Sequence, residues 1–406
     1  MNKLNQNLSI RRFYMFFGII SMLFAGVLYA WSILKSPLAS EFGWGQAGLA
    51  LNFTIAMTFF CIGGLVGAKI SERAGHRIAL ITSGVLSAIG FGLTAVLRNG
   101  NIGMLYITYG ILAGLGIGIE YNVVIATVSA WFPDKKGLCS GCLMMGFGAS
   151  ALILGNLADV MFKSIGWRAT YIALGTVIFA VMVLAGFVIK KPGTDITFPK
   201  TTAIVNTTEE EFEQKNFTSK QMLCRASFWM AFVYLSLLAA VGNTVISFAK
   251  DLALSVNAPE ALAVSLVGVL SVCNGIGRIV TGALFDAVGR RKIMLYVNVF
   301  TMCAATVTLI AVSVNSLLLC IVGLCLTGMS YGACPTITAT FTSSFFGMKY
   351  FSNNMAIMTF TVMTASFIAT ASNKILEVTG GYTSAFVMLL SLTFAALILN
   401  FFIRKP

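Results

Sequence analysis

The chain has 406 residues, of which 58% are hydrophobic and only 10% charged. Soluble domains average about 25% charged residues, so this chain lacks the polar surface of a cytosolic enzyme of its size. The formal net charge of +13 would suit a nucleic-acid partner. The basic residues, however, sit in short clusters between apolar runs and form no single stripe, which excludes that class too.

Twelve apolar runs recur, each near the ~20 residues a helix needs to cross hydrocarbon. They span residues 13–34, 47–68, 79–97, 103–126, 138–161, 168–189, 226–248, 260–281, 293–313, 315–338, 352–372 and 382–403. All are expected to be helices, because lipid offers no partner to unpaired backbone groups. The expected class is an all-α integral membrane protein with twelve transmembrane helices. The first run is too long for a signal h-region and lacks a small-residue cleavage pattern, so it reads as an uncleaved span.

Loop charges set the orientation. One set of loops carries 20 basic residues, from Lys3, Arg11 and Arg12 through Arg290, Arg291 and Lys292 to Arg404 and Lys405, whereas the opposite set carries six. Positive-inside bias puts both termini in the cytoplasm, as in a protein of the cytoplasmic (inner) membrane. The longest loop, 190–225, holds Pro192, Pro199 and an acidic run at Glu209, Glu210, Glu211 and Glu213. It reads as a cytoplasmic linker between a six-helix bundle over 1–189 and a second over 226–406.

The cysteines lie almost all in apolar segments. Cys139 and Cys142 have CxxC spacing, but no second pair or histidine cluster accompanies them, so no zinc site is expected. His76 is the one histidine. A G-x-S-x-G elbow, a phosphate loop and an H-E-x-x-H pair are all missing. Neither catalysis nor a metal or cofactor is expected.

The two halves repeat. Glu72 and Asp286, Gly75 and Gly289, and Arg77 and Arg291 are each 214 residues apart, in the loops after spans 2 and 8. The same offset relates Gly114 to Gly328, Gly118 to Gly332, and Trp131-Phe132 to Phe345-Phe346. One offset serving several motifs marks a duplicated six-helix unit. The loop after span 8, Gly282 to Arg291, reads G-x-x-x-D-x-x-G-R-R. With six plus six spans, the chain resembles the major facilitator superfamily. The resemblance implies two pseudo-symmetric bundles rocking about a midplane site, an alternating-access carrier that works as a monomer. Glu72, Asp286, Arg77 and Arg290 belong, on that resemblance, to gating.

Three further stretches narrow it: Tyr29-Ala30-Trp31-Ser32 in span 1, Trp131-Phe132-Pro133-Asp134-Lys135-Lys136-Gly137-Leu138 after span 4, and Asn274-Gly275-Ile276-Gly277-Arg278 in span 8. Together they resemble the monocarboxylate transporter family, and its bacterial branch that includes the oxalate:formate antiporters. Two departures matter. The span-11 lysine of those antiporters is Val362 here, and two of their cage aromatics are Thr327 and Thr359. A dianion thus loses one expected partner.

A charge in mid-membrane costs several kcal/mol unless it is paired or lines a wet cavity. Arg278 in span 8 and Glu120 in span 4 are such charges, and neither has an opposite charge at helical spacing on its own span. Arg278 reads as a carboxylate clamp, since guanidinium stays charged and binds carboxylate bidentately. Asn274, four residues earlier, shares its face. Glu120 reads as a proton-coupling acid. The alternatives are a static ion pair with Arg278 or another cation and a ligand for a cationic substrate. Tyr29, Tyr121 and Tyr331 can wall the cavity and orient a carboxylate with their hydroxyls. Lys35 reads as an interface anchor or as an attractor of anions into an outer vestibule, and Asn243 is a further polar candidate in span 7.

The expected function is secondary active transport of small carboxylates of the lactate, pyruvate or formate class, by proton symport. The alternative is organic-anion antiport of the oxalate:formate exchange type. A drug exporter and a membrane sensor fit less well, given the mid-span arginine and the short linker.

Overall fold

The computed structural model describes residues 3–98, 100–133, 135–192 and 216–403. The acidic run of the 190–225 linker, Asp134 of the span-4 motif, and Arg404 and Lys405 therefore lie outside the described residues.

Helix α1 (Lys3–Ala25) passes through a 3-10 turn, Gly26–Ala30, into α2 (Trp31–Phe42). Next come α3 (Gln46–Arg73) and α4 (His76–Ala95). α5 (Ile102–Leu105) runs through a π-helical stretch, Tyr106–Ala113, into α6 (Gly114–Ser129). α7 (Lys136–Ser150) continues through a second such stretch, Ala151–Gly155, into α8 (Asn156–Val188). The short α9 (Ser219–Leu223) precedes α10 (Ala226–Ser255), α11 (Glu260–Val288), α12 (Arg290–Ser313) and α13 (Leu317–Phe346). α14 (Phe351–Met358), α15 (Phe360–Thr379) and α16 (Tyr382–Phe402) complete the chain.

Among the described residues, eleven helical rods are long and apolar enough to cross a membrane, and one of them, Leu138–Val188, has 51 residues. That is far beyond the ~20 residues of one crossing. It turns at Gly166 (φ 79, ψ 161), so it supplies two crossings, and the twelve spans are all present. The first span runs on to Phe42 rather than stopping near residue 34. Lys35 therefore sits within α2, not at the end of a helix.

The duplication reaches into the backbone. Gly75 and Gly289, 214 residues apart, both turn the chain at positive φ (89 and 80). Gly166 and Gly380 (φ 79 and 70) do the same at that offset, as do Gly43 and Asn257 (φ 67 and 61). L-residues with a side chain rarely hold this conformation, asparagine excepted.

Packing repeats as well. A Cβ added at Gly118 of α6 would lie 2.0 Å from the Phe60 carbonyl oxygen of α3, and one at Gly332 of α13 would lie 2.1 Å from the Asn274 oxygen of α11. These glycines let the helices cross backbone to backbone. Replacing Gly332 by alanine should drive α13 off α11 and lower stability by about 1–3 kcal/mol. A thermal melt of the purified protein in detergent reads this out, and an unchanged midpoint would contradict the packing account.

The two halves meet along α7 with α11 and along α3 with α15. At Gly141 of α7, a Cβ would lie 2.7 Å from the Arg278 carbonyl oxygen. Of the residues assigned to gating, Glu72 is exposed at the end of α3. Arg77 stacks on the Phe187 ring, its guanidinium carbon 3.7 Å from the centroid. The side chains of Asp286 and Arg290 lie outside the description.

Candidate functional site

α11 carries Arg278 to the α7 contact between the halves, where the side chain is only 1% exposed. The glycines of the Asn274–Arg278 run make this possible. A Cβ at Gly277 would lie 2.2 Å from the Met329 oxygen, so α13 comes close on that side. Arg278 Nε donates to Asn274 Oδ1 at 2.9 Å, one helical turn back. Nη1 donates to the Met144 carbonyl of α7 at 2.7 Å. Nη2 is buried and has no hydrogen-bond partner among the described residues. The guanidinium carbon stands 5.9 Å from the ring centroids of both Tyr29 and Phe147.

Tyr29 and Tyr331 come together across the halves. Their hydroxyls are 2.8 Å apart. Tyr331 also donates to Asn243 Oδ1 of α10 at 2.8 Å. On the side of this pair toward Met355 and Thr359 is a cavity of about 20 Å³, lined among others by Tyr29, Phe60, Tyr121, Phe147 and Tyr331. That volume holds roughly one water. On the other side opens a vestibule of about 250 Å³, lined among others by Tyr29, Trp31, Lys35, Asp251 and Glu377. A contiguous pocket of about 240 Å³ shares Lys35 and Asp251 and reaches Ser40 and Leu254 near the helix ends. Tyr29 lines both vestibule and cavity, so the tyrosine pair is the partition between them. On the cavity side the halves are tied shut: Ser352 donates to Asn122 Oδ1 at 2.9 Å, and Cys61 to the Thr359 carbonyl at 3.3 Å.

Glu120 is fully buried, but not beside Arg278. Its Oε1 accepts from the Ser21 hydroxyl of α1, and its Oε2 has no partner among the described residues. The ion pair with Arg278 is thus not formed in this state. The reason is register: Tyr121, its neighbour, takes the cavity face against Phe60 and Phe147 (centroids 5.0 and 5.2 Å away), which turns Glu120 into its own bundle.

Of the predicted residues, Tyr29, Tyr121 and Tyr331 line one small volume; Arg278, held by Asn274, lies behind the Tyr29 and Phe147 rings of its wall, and Glu120 stands apart. Lys35 lies in the vestibule. Trp31 donates its indole N–H to the Leu49 carbonyl at 3.0 Å, and its ring packs on Tyr109. Val362 and Thr359 line the cavity, whereas Thr327 is buried, its hydroxyl without a partner among the described residues, and is not among the cavity residues. Sequence reasoning missed Phe60 and Phe147, which complete the aromatic wall. For Phe147 a signal exists: it stands between Gly146 and Gly148, a lone large ring in a small-residue run.

The sequence profile described as Major Facilitator Superfamily matches residues 13–371. The chain belongs to the major facilitator superfamily. It is therefore a multi-pass membrane transporter. Relatives include the oxalate:formate antiporter of Oxalobacter formigenes, 26% identical over 97% of this chain and 91% of that protein. Monocarboxylate transporter 12 of Homo sapiens is 24% identical over 83% of this chain and 69% of its own. The MFS-type transporter YhjX of Escherichia coli is 25% identical over 84% and 82%. Among solved structures, the proton:xylose symporter XylE superposes with a TM-score of 0.70, covering 97% of each chain at 13% identity. At that identity the likeness concerns the fold alone.

Proposed function

We propose that this member of the superfamily carries small monocarboxylates of the lactate, pyruvate or formate class, by alternating access and coupled to a proton. The observation that carries the reading is Nη2 of Arg278, buried without a hydrogen-bond partner among the described residues, on a guanidinium 5.9 Å from the Tyr29 and Phe147 rings that wall the cavity. A guanidinium with unused donors in a dry site is a receptor for one carboxylate. Asn274 and the Met144 carbonyl hold it by two of its five N–H groups. The anion enters through the vestibule, passes the Tyr29–Tyr331 partition and displaces Phe147 or Tyr29 from the guanidinium. Residues 1–189 and 226–406 are the two rocking bodies, joined by 190–225. Both termini are cytoplasmic, so the vestibule faces outside.

Glu120 is the coupling acid. With no cation beside it among the described residues, the neutral acid is the form its pocket holds at least cost. Exchange of the oxalate:formate type is the second reading. It draws support from the Oxalobacter formigenes relative, which aligns with 97% of this chain. Against it stands Val362 in the cavity wall, so that no cation lines the cavity among the described residues; Arg278 stands behind the Tyr29 and Phe147 rings and Lys35 out in the vestibule.

Uptake of labelled lactate, pyruvate, formate and oxalate into proteoliposomes, with and without an inward proton gradient, tests both. Gradient-driven uptake of a monocarboxylate supports symport. Uptake that needs internal counter-anion and ignores the gradient replaces it by exchange.

A further inference from the structure

We infer that Asn243 is a positioning residue that turns the hydroxyl protons of Tyr331 and Tyr29 away from the transported anion, and so holds down the affinity of the vestibule-open state. The inference rests on the reading of Arg278 as the anion's receptor. It follows from the direction of one hydrogen-bonded chain.

The chain starts at a backbone carbonyl, which can only accept. Val362 O lies 3.4 Å from Asn243 Nδ2 and accepts the Ser366 hydroxyl proton at 2.9 Å. With its proton used there, Ser366 Oγ accepts from Asn243 Nδ2 at 3.0 Å. The amide is thereby fixed, with its nitrogen toward Val362 and Ser366 and its oxygen toward Tyr331. An amide oxygen has no proton, so Tyr331 donates to it at 2.8 Å. A phenol has one proton. The Tyr331 oxygen must then accept the proton of Tyr29 at 2.8 Å. Both tyrosine protons are committed, and the chain runs from Tyr29 to Val362 with every donor pointing the same way.

The consequence is specific. A carboxylate arriving at the partition meets the lone pairs of Tyr29, not its proton. Arg278 and Tyr121 remain to donate to it. Asn243 is 0% exposed and lines neither the cavity nor the vestibule, so it acts through Tyr331. Such an arrangement suits a carrier, which gains nothing from holding its load too tightly in one state. Remove the Asn243 acceptor and the Tyr331 proton becomes free to turn to Tyr29 or to the anion. The anion should then bind more tightly and leave more slowly. A residue that merely packs α10 would do the reverse when damaged.

The test is equilibrium binding to the purified full-length protein in detergent, with labelled lactate, pyruvate, formate and oxalate. Asn243→Leu, and Asn243→Ala in case the larger side chain prevents folding, should lower the half-saturating concentration about tenfold or more, the gain of one hydrogen bond to a charged group. Maximal uptake in proteoliposomes should fall in the same variants. Asn243→Asp keeps an acceptor facing Tyr331 and should show no tightening. Adding Tyr331→Phe to Asn243→Ala should erase the gain, since the freed proton is gone. Binding that needs Arg278, lost in Arg278→Lys, yet is unchanged or weakened in the Asn243 variants, overturns this inference alone. Binding of none of the four acids, or equal binding by Arg278→Lys, overturns the Arg278 reading and this inference with it.

Discussion

Replacing Arg278 by lysine is expected to reduce carboxylate uptake at least about 100-fold while the protein still folds. The substitution keeps the charge and removes the fork. In the wild type, Nε is held by Asn274 and Nη1 by the Met144 carbonyl, and Nη2 is left over for a ligand. A lysine ammonium is a point charge with three rotatable donors. It satisfies the Asn274 oxygen or the Met144 carbonyl first, because both are fixed and near, and presents little to a substrate. A loss of this size corresponds to one charge-assisted bidentate contact plus its geometry. Arg278→Gln removes the charge instead. Uptake should again fall, but the thermal midpoint should hold or rise, since a buried cation without a counter-ion costs more than a neutral amide. Uptake within about threefold of wild type in Arg278→Lys would break the link between the unpartnered guanidinium nitrogen and the substrate.

What the sequence could reveal here depended on separation along the chain. Arg278 and Asn274 lie four residues apart on one helix, so their contact was readable from helical spacing. The Tyr29–Tyr331 bond joins residues of opposite halves, and nothing local encodes it. Span positions alone placed the two tyrosines at matching depth. The duplicated loops were legible because positive-φ turns demand glycine or asparagine, and those residues recur at one offset. Gly166 shows what hydropathy does read: the short polar stretch at Lys163 and Ser164 separated two crossings that the structure joins through a single glycine turn. Glu120 shows a limit. A buried acid in an apolar helix announces that it needs a partner, but not which face it will take. Tyr121 and the α3 packing of Gly118 settle that face, and both are tertiary facts.

Replacing Glu120 by glutamine is expected to leave the fold intact and to uncouple uptake from the proton gradient. Glutamine keeps an oxygen where Oε1 accepts from Ser21, and it fills the same volume. It cannot ionise. In the state seen here, an ionised Glu120 would have one hydroxyl for company and no cation among the described residues, which costs several kcal/mol in a membrane interior. The neutral acid is therefore the form this conformation holds at least cost. Release then requires a second conformation in which water or a cation reaches the carboxyl. A shift of α1 against α6 inside the N-terminal half, accompanying the rocking of the two halves, is what would provide it, because the Ser21–Glu120 bond joins those two helices. Uptake by Glu120→Gln should therefore be flat between pH 5 and 8, about as fast as the wild type at its acidic plateau for exchange, and unable to concentrate substrate against its gradient. Ser21→Ala should have a smaller effect, on the order of 1 kcal/mol of stability, because it removes one hydrogen bond and leaves the acid. If Glu120→Gln still accumulates monocarboxylate in response to an imposed proton gradient, the coupling acid lies elsewhere, and Glu120 is reduced to a hydrogen-bonded tie between α1 and α6.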